Sequence, residues 1–237
     1  VGLFDIFGKK NPAGAVAKHA ARLADKRSMA PDRWEAIQAL IKIDSEEAIE
    51  AMLPRFGYYA DPTITDHEEK ETIFNAIVSR GSAAEAPLRR FIARAESLSW
   101  PLKMLDRVLP EEQVLSLLLE LLAKMGTEYE RDPQRKLQVL AELEQRRGSA
   151  VVAAVLPFFE DVNETARFHA IGAALAQQDA DEVRKPLEQL LAREESMRIK
   201  ARVLEGFMQR GWALTAEAAG RLPDGWVLDA AGTPRRR

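Results

Sequence analysis

The chain contains no cysteine. That excludes a disulfide scaffold, a thiolate metal site and a cysteine nucleophile. Histidine is nearly as scarce: His19, His67 and His169 are the only three, far apart in sequence. His67-Glu68-Glu69 lacks the second histidine four residues on that a zinc-protease helix needs, so no metal motif is present. No glycine-rich phosphate loop, Walker loop or Gly-x-Ser-x-Gly occurs, leaving phosphate cradling and serine hydrolysis without support. No run of about 18 apolar residues occurs, so no bilayer-spanning helix is expected. No charged-then-apolar leader opens the sequence, and a cytoplasmic location is the expectation. Long β-branched alternation is missing too, so no sheet is expected.

What the 237 residues do hold is 46% apolar and 30% charged side chains, the mixture of a globular chain of one large or two small domains. The formal net charge of −3 is too even to point to nucleic acid or membrane. It hides an asymmetry. Residues 1–33 carry seven Lys/Arg against Asp5, Asp25 and Asp32, whereas residues 34–134 carry 11 basic and 19 acidic residues. A basic head before an acidic middle suits a tethering end followed by a binding body. Ordinary solvated faces are the plainer account of it.

Glycine and proline punctuate the chain every 15 to 20 residues, and the apolar spacing between them is helical. Trp34, Ile37, Leu40 and Ile41 mark a first helix from about residue 32. Asp44 or Ser45 can cap a second through Ala48, Ile49, Met52, Leu53 and Phe56. Asp66 is the expected cap of a third, with Ile73, Phe74 and Ile77 inside, and a fourth follows Gly81-Ser82 through Leu88 and Phe91. The pattern continues to Leu222, giving six helix pairs at steps of roughly 30–38 residues, the range of helical solenoid repeats. Prolines recur in the second helices, at Pro54, Pro87, Pro157 and Pro186. A proline in a helix interior costs about 3 kcal/mol, so the recurrence implies a shared geometry, with the helix kinked or begun there.

At these residues the chain resembles HEAT-like repeats of the kind found in phycobilisome lyases. The resemblance rests on Arg33-Trp34-Glu35-Ala36-Ile37-Gln38-Ala39-Leu40 and Ala166-Arg167-Phe168-His169-Ala170-Ile171-Gly172-Ala173-Ala174-Leu175, with turn acids at Asp44 and Asp179. It covers roughly residues 30–222 and implies an all-α fold, a right-handed α-α superhelical solenoid of about six HEAT-like helix pairs. The loops 57–65 and 126–133 and the Trp100-Pro101 step depart from the pattern. The resemblance says little about activity, because fold does not fix function.

Three segments are expected: an amphipathic tip over 1–12, a repeat body over 13–222 opening with a capping helix, and an extended C-terminal cap with a basic tail over 223–237. In the tip, Leu3, Phe4, Ile6 and Phe7 precede Lys9 and Lys10. This resembles short membrane-active peptides of the aurein type and suits weak contact with an anionic bilayer. Docking on a partner and folding back on the body are the other expectations. Near the far end, Trp226-Val227-Leu228 is expected to lie extended and close the stack, with Arg235, Arg236 and Arg237 mobile.

No catalytic residue, cofactor or metal is expected. On the second helices, Arg55, Arg89, Arg90, Arg94, Arg184, Lys185 and Arg193 avoid the apolar stripe. Such a row of cations suits an acidic protein surface, or else serves solubility in pairs with Glu50, Glu85, Glu96 and Glu188. Tyr58 and Tyr59 are candidate interface anchors, with Tyr129 a third. The expected function is a non-catalytic adaptor holding a protein partner on a concave face, with peripheral membrane tethering by the tip as a further expectation. The alternative is an enzyme resembling the HEAT-like alkylpurine DNA glycosylases. Trp100 and Asp106 do not share the adjacent-turn placement of those enzymes, and an acidic middle does not suit a DNA groove, so nucleic acid is not expected.

Overall fold

The computed structural model describes residues 12–178 and 181–237. The chain is mostly helical and divides into two compact units, Val1–Val114 and Leu115–Arg237. The first holds α1 (Pro12–Ala24), α2 (Ala30–Ile43), α3 (Glu46–Met52), α4 (Thr63–Val78), α5 (Glu85–Ile92) and α6 (Ser99–Val108). The boundary falls inside α7 (Glu111–Leu122). The second holds α8 (Gln134–Glu144), α9 (Ala150–Val155), α10 (Glu164–Leu175), α11 (Asp181–Arg193), α12 (Met197–Arg210) and the single turn α13 (Ala216–Ala219). Two short strands follow, β1 (Trp226–Leu228) and β2 (Pro234–Arg236).

Local chemistry sets the helix starts. Ser45 accepts a hydrogen bond from the Ala48 N–H to cap α3, Asn163 accepts from Thr165 and Ala166 at α10, and Ser196 accepts from Ile199 at α12. Asp44 instead ends α2 in the left-handed region at φ 61°, where its N–H reaches Leu40 O. At its far end α10 is closed by a distant side chain: Arg210 donates to Leu175 O and Gln178 O.

The prolines act at helix ends more than in helix interiors. Leu53–Gly57 after α3 and Leu156–Glu160 after α9 are both 3-10 turns with proline in the first positions. Pro54 and Pro157 lack an N–H, so the chain tightens to i→i+3 bonding where the α-ladder loses a donor. Pro87 sits in the first turn of α5, where no N–H is needed, while Pro186 stays inside α11.

In the first unit α2 packs on α1, α3 and α4, α4 on α6, and α3 on α5. Contacts between helices two places apart thus recur along the unit, α1 also packing on α3. Its core includes Leu23, Ile37, Leu40, Leu53, Ile73, Ile77, Leu88 and Ile92, all fully buried. In the second unit α10 packs on α8, α9, α11 and α12, around Val139, Leu140, Leu143, Ile171, Leu187 and Phe207. Gly206 lets α12 approach α10, since a Cβ there would meet Leu175 Cδ1 at 2.3 Å.

Four expectations change. Trp34 is 41% exposed, because the inward stripe of α2 runs through Arg33, Ala36, Ile37 and Leu40. Asp66 is no cap; α4 begins at Thr63, and Asp66 turns inward within its first turn. A sheet does form, since β1 and β2 pair antiparallel with Trp226 opposite Arg236. The arginines expected to be mobile are held there: Arg235 pairs with Asp229, Arg236 with Glu205, and the Arg237 N–H reaches Gly225 O. Trp226-Val227-Leu228 is extended, as expected, and β2 packs on α12.

Candidate functional site

Most of the unusual chemistry of the first unit is interior. Arg33 on α2, Arg55 in the turn after α3, and Asp66, Glu69 and Lys70 on α4 are all buried. The helical spacing of Asp66, Glu69 and Lys70 puts them on one inward face of α4. Arg33 Nε donates to both oxygens of Glu69, at 3.1 and 2.9 Å, and Arg55 Nε donates to Glu69 Oε2 at 2.7 Å. Arg55 Nη2 donates to Asp66 Oδ1 at 2.7 Å, and Lys70 Nζ to Asp66 Oδ2 at 2.8 Å. Burial alone would lower the Arg55 pKa, but the bonds to Asp66 and Glu69 outweigh it and raise it. Burial likewise pulls the Asp66 carboxyl up, and the bonds from Lys70, Arg55 and the Ala60 N–H bring it below its ordinary value. Every carboxylate here is fully engaged, so the cluster is a clasp joining α2, α4 and the Leu53–Gly57 turn. It presents no free acid or base.

The second unit builds a smaller version. Lys136 at the start of α8 is buried, donates to Gly126 O at 2.9 Å and pairs with Asp161 at 2.8 Å. Burial pulls its pKa down, and bonding to Asp161 and Glu130 more than reverses that. On α10, Arg167 grips both Glu194 oxygens and donates to Asp161 O. Glu144 accepts from Arg202 and contacts His169 Nδ1 at 2.6 Å, while Arg198 and Arg202 lie over the Phe168 ring.

The expected cation row is dispersed by this chemistry. Arg55 leaves it altogether, being fully buried. Arg89 pairs with Glu85 one turn back, and Arg90 with Glu46 and Glu50 on α3. Arg94 is exposed beyond the end of α5. In the second unit Arg184 Nη2 donates to Ala213 O, Lys185 is exposed, and Arg193 pairs with Glu160. The two tyrosines separate. Tyr58 is half-buried, donates from its hydroxyl to Leu23 O at 2.6 Å and lies under the Arg55 guanidinium, which fits a structural role. Burial, opposed by the Arg55 and Arg33 charges, raises its pKa. Tyr59 is 57% exposed and bonded only to its neighbour Thr63 among the described residues. Leu3, Phe4, Ile6, Phe7, Lys9 and Lys10, and the turn acid Asp179, lie outside the described residues.

Among the grooves on the surface of the second unit, two are the widest described. One, of about 660 Å³, runs between α11 and α13 and is lined by Arg184, Lys185, Glu188, Gln189 and Thr215. The other, of about 620 Å³, lies between the turn Leu156–Glu160 with the start of α10 and the junction of α11 with α12. Among the described residues, no three His, Asp or Glu side chains are grouped to hold a metal ion. No described helix is long and apolar enough to cross a membrane.

The buried acids were the part of this chemistry that sequence reading missed. Asp66 and Lys70 stand four apart, a spacing that suggests an ordinary exposed helix pair. The inward-facing positions of Ile73 and Ile77 were the available signal, since Glu69, Ile73 and Ile77 follow one another at four-residue steps. Comparison with family models, with curated proteins and with solved structures found no match.

Proposed function

We propose that this chain is a non-catalytic adaptor that holds a protein partner on helix faces of a HEAT-like solenoid. The observation carrying the reading is the groove between α11 and α13, about 660 Å³, where Arg184 and Lys185 meet Glu188 and Thr215 on an open face. It is large enough for several side chains of a partner and carries mixed charge, as protein interfaces do at their rims. The packing of α2 on α4 and α4 on α6, with α3 on α5, supports the repeat architecture. In such an array α1 serves as the end cap.

The glycosylase-like alternative is not favoured. Trp100, its best aromatic candidate, is engaged by Phe56, Phe74 and His67 at ring-centroid distances of 5.3, 5.9 and 6.2 Å. Cytoplasmic residence with peripheral membrane contact through the Leu3–Phe7 tip belongs to the same proposal.

The test is cross-linked capture from native cytoplasm, comparing the full chain, a version starting at Ala13, and the charge-reversed R184E/K185E. A protein retained by the first two and lost by the third supports the adaptor and its face. Retention by the full chain alone moves docking to the tip. Recovery of nucleic acid, or of nothing, overturns the reading.

A further inference from the structure

The clasp of the first unit gathers three cations against two carboxylates. Arg33, Arg55 and Lys70 are 3%, 0% and 8% exposed, and among the described residues only Asp66 and Glu69 pair with them. Glu69 is shared, since Arg33 Nε and Arg55 Nε both donate to its Oε2. One positive charge is left over in an interior where an uncompensated charge is costly. The second unit's clasp differs, because Lys136 alone meets both Asp161 and Glu130.

The excess has an address. Arg33 Nε donates to Glu69 and its Nη1 to Ser28 O, but its Nη2 is buried with no hydrogen-bond partner among the described residues. Arg55, by contrast, directs its Nε, Nη1 and Nη2 to Glu69, Tyr58 O and Asp66, and Lys70 donates to Asp66. A guanidinium does not give up its proton, so the usual escape of a buried charge, neutralisation by titration, is closed to Arg33. The unmatched charge and the unmatched donor therefore coincide on one side chain, which lies on α2 beside α4.

We propose that the clasp binds one monatomic anion, a chloride, at Arg33 Nη2. A single negative charge balances the cluster, and a halide accepts charge-assisted hydrogen bonds from N–H groups without needing a donor in return. Size follows from burial. Arg33, Arg55, Asp66, Glu69 and Lys70 are all buried, which admits an ion of about the size of a water molecule and excludes phosphate, sulfate or a partner's carboxylate side chain. The ion is structural: it completes the fastening of α2 to α4. The inference does not rest on the protein-binding reading, and the two fall separately.

The test is thermal unfolding of the full chain at constant ionic strength, with sodium chloride replacing sodium gluconate, whose anion is too large for the site. A rise in Tm of about 3 °C between 1 and 100 mM chloride is expected, as for a ligand bound by the folded chain alone. Arg33→Met removes the donor and the surplus charge together, leaving Arg55 and Lys70 on Asp66 and Glu69, so the rise should vanish. Glu69→Gln enlarges the surplus, and its rise should exceed that of the unaltered chain. An equal rise in Arg33→Met would reduce the effect to a general salt response and overturn the proposal. Were Arg33→Met not to fold, the unaltered chain decides alone: bromide-soaked crystals should show an anomalous peak beside Arg33 Nη2. A water there in place of bromide, or a Tm indifferent to chloride, overturns the proposal as well.

Discussion

Replacing Glu69 by glutamine keeps the side-chain volume and removes one charge from the centre of the first unit's clasp. Glu69 is fully buried and accepts from Arg33 Nε and Arg55 Nε, at distances of 2.7–3.1 Å. Three cations, Arg33, Arg55 and Lys70, would then face the single carboxylate of Asp66. Arg33 suffers most, because among the described residues Glu69 is its only carboxylate and its Nη2 is already buried without a hydrogen-bond partner. Losing one partner of a buried ion pair costs about 3–5 kcal/mol, chiefly through the charge left behind. With a urea m-value of about 2 kcal/mol per molar, the midpoint should fall by about 1.5–2.5 M. The assay is urea unfolding by circular dichroism at pH 7, alongside Arg33→Met and the double variant. If the cost is an orphaned guanidinium, the double variant should be less destabilised than Glu69→Gln alone. A loss under about 1 kcal/mol for Glu69→Gln, or strictly additive losses in the double variant, would refute the reasoning.

Other outcomes follow from the same packing. The folded pKa of Asp66 lies below its unfolded value of about 3.9, so its contribution is full above that value and is lost as pH falls through the folded pKa. Asp66→Asn should therefore be destabilised at pH 7, with the gap from the unaltered chain closing below about pH 4; a gap constant from pH 7 to 3 would contradict this. Leu118 is fully buried, and Leu118→Asp should abolish cooperative folding of the second unit, whereas an unchanged melt would remove Leu118 from the core. Gly206→Ala should cost roughly 1–3 kcal/mol by pushing Leu175 off α12, despite alanine's better helix propensity; a gain in melting temperature would show that the α10–α12 contact yields freely. Asp229→Ala should free the C-terminal hairpin, read as faster amide exchange at Ala231 and Thr233, whose N–H groups Asp229 now accepts.

The helices of this protein are local decisions. Stripes such as Ile37 with Leu40 and Ile73 with Ile77, and caps such as Ser45, act within one or two turns, so the sequence alone placed them. The prolines also carried real information, although the sequence could not distinguish a kink from the 3-10 turns at Pro54 and Pro157. Where reading failed, the deciding partner was distant. Arg55 resembled its neighbours in the row, and only the approach of α4 showed that Asp66 and Glu69 take it inside. Trp34 lost the inner position to Arg33 for the same reason, since Glu69 of α4 makes a buried guanidinium tolerable there. The C-terminal arginines looked like a free tail because their partners, Asp229, Glu205 and the Trp226 ring, become neighbours only when the hairpin folds onto α12. Periodicity fixes which face of a helix is apolar. Whether a charge may join that face depends on an opposite charge brought there from another helix, and that is settled by tertiary packing alone.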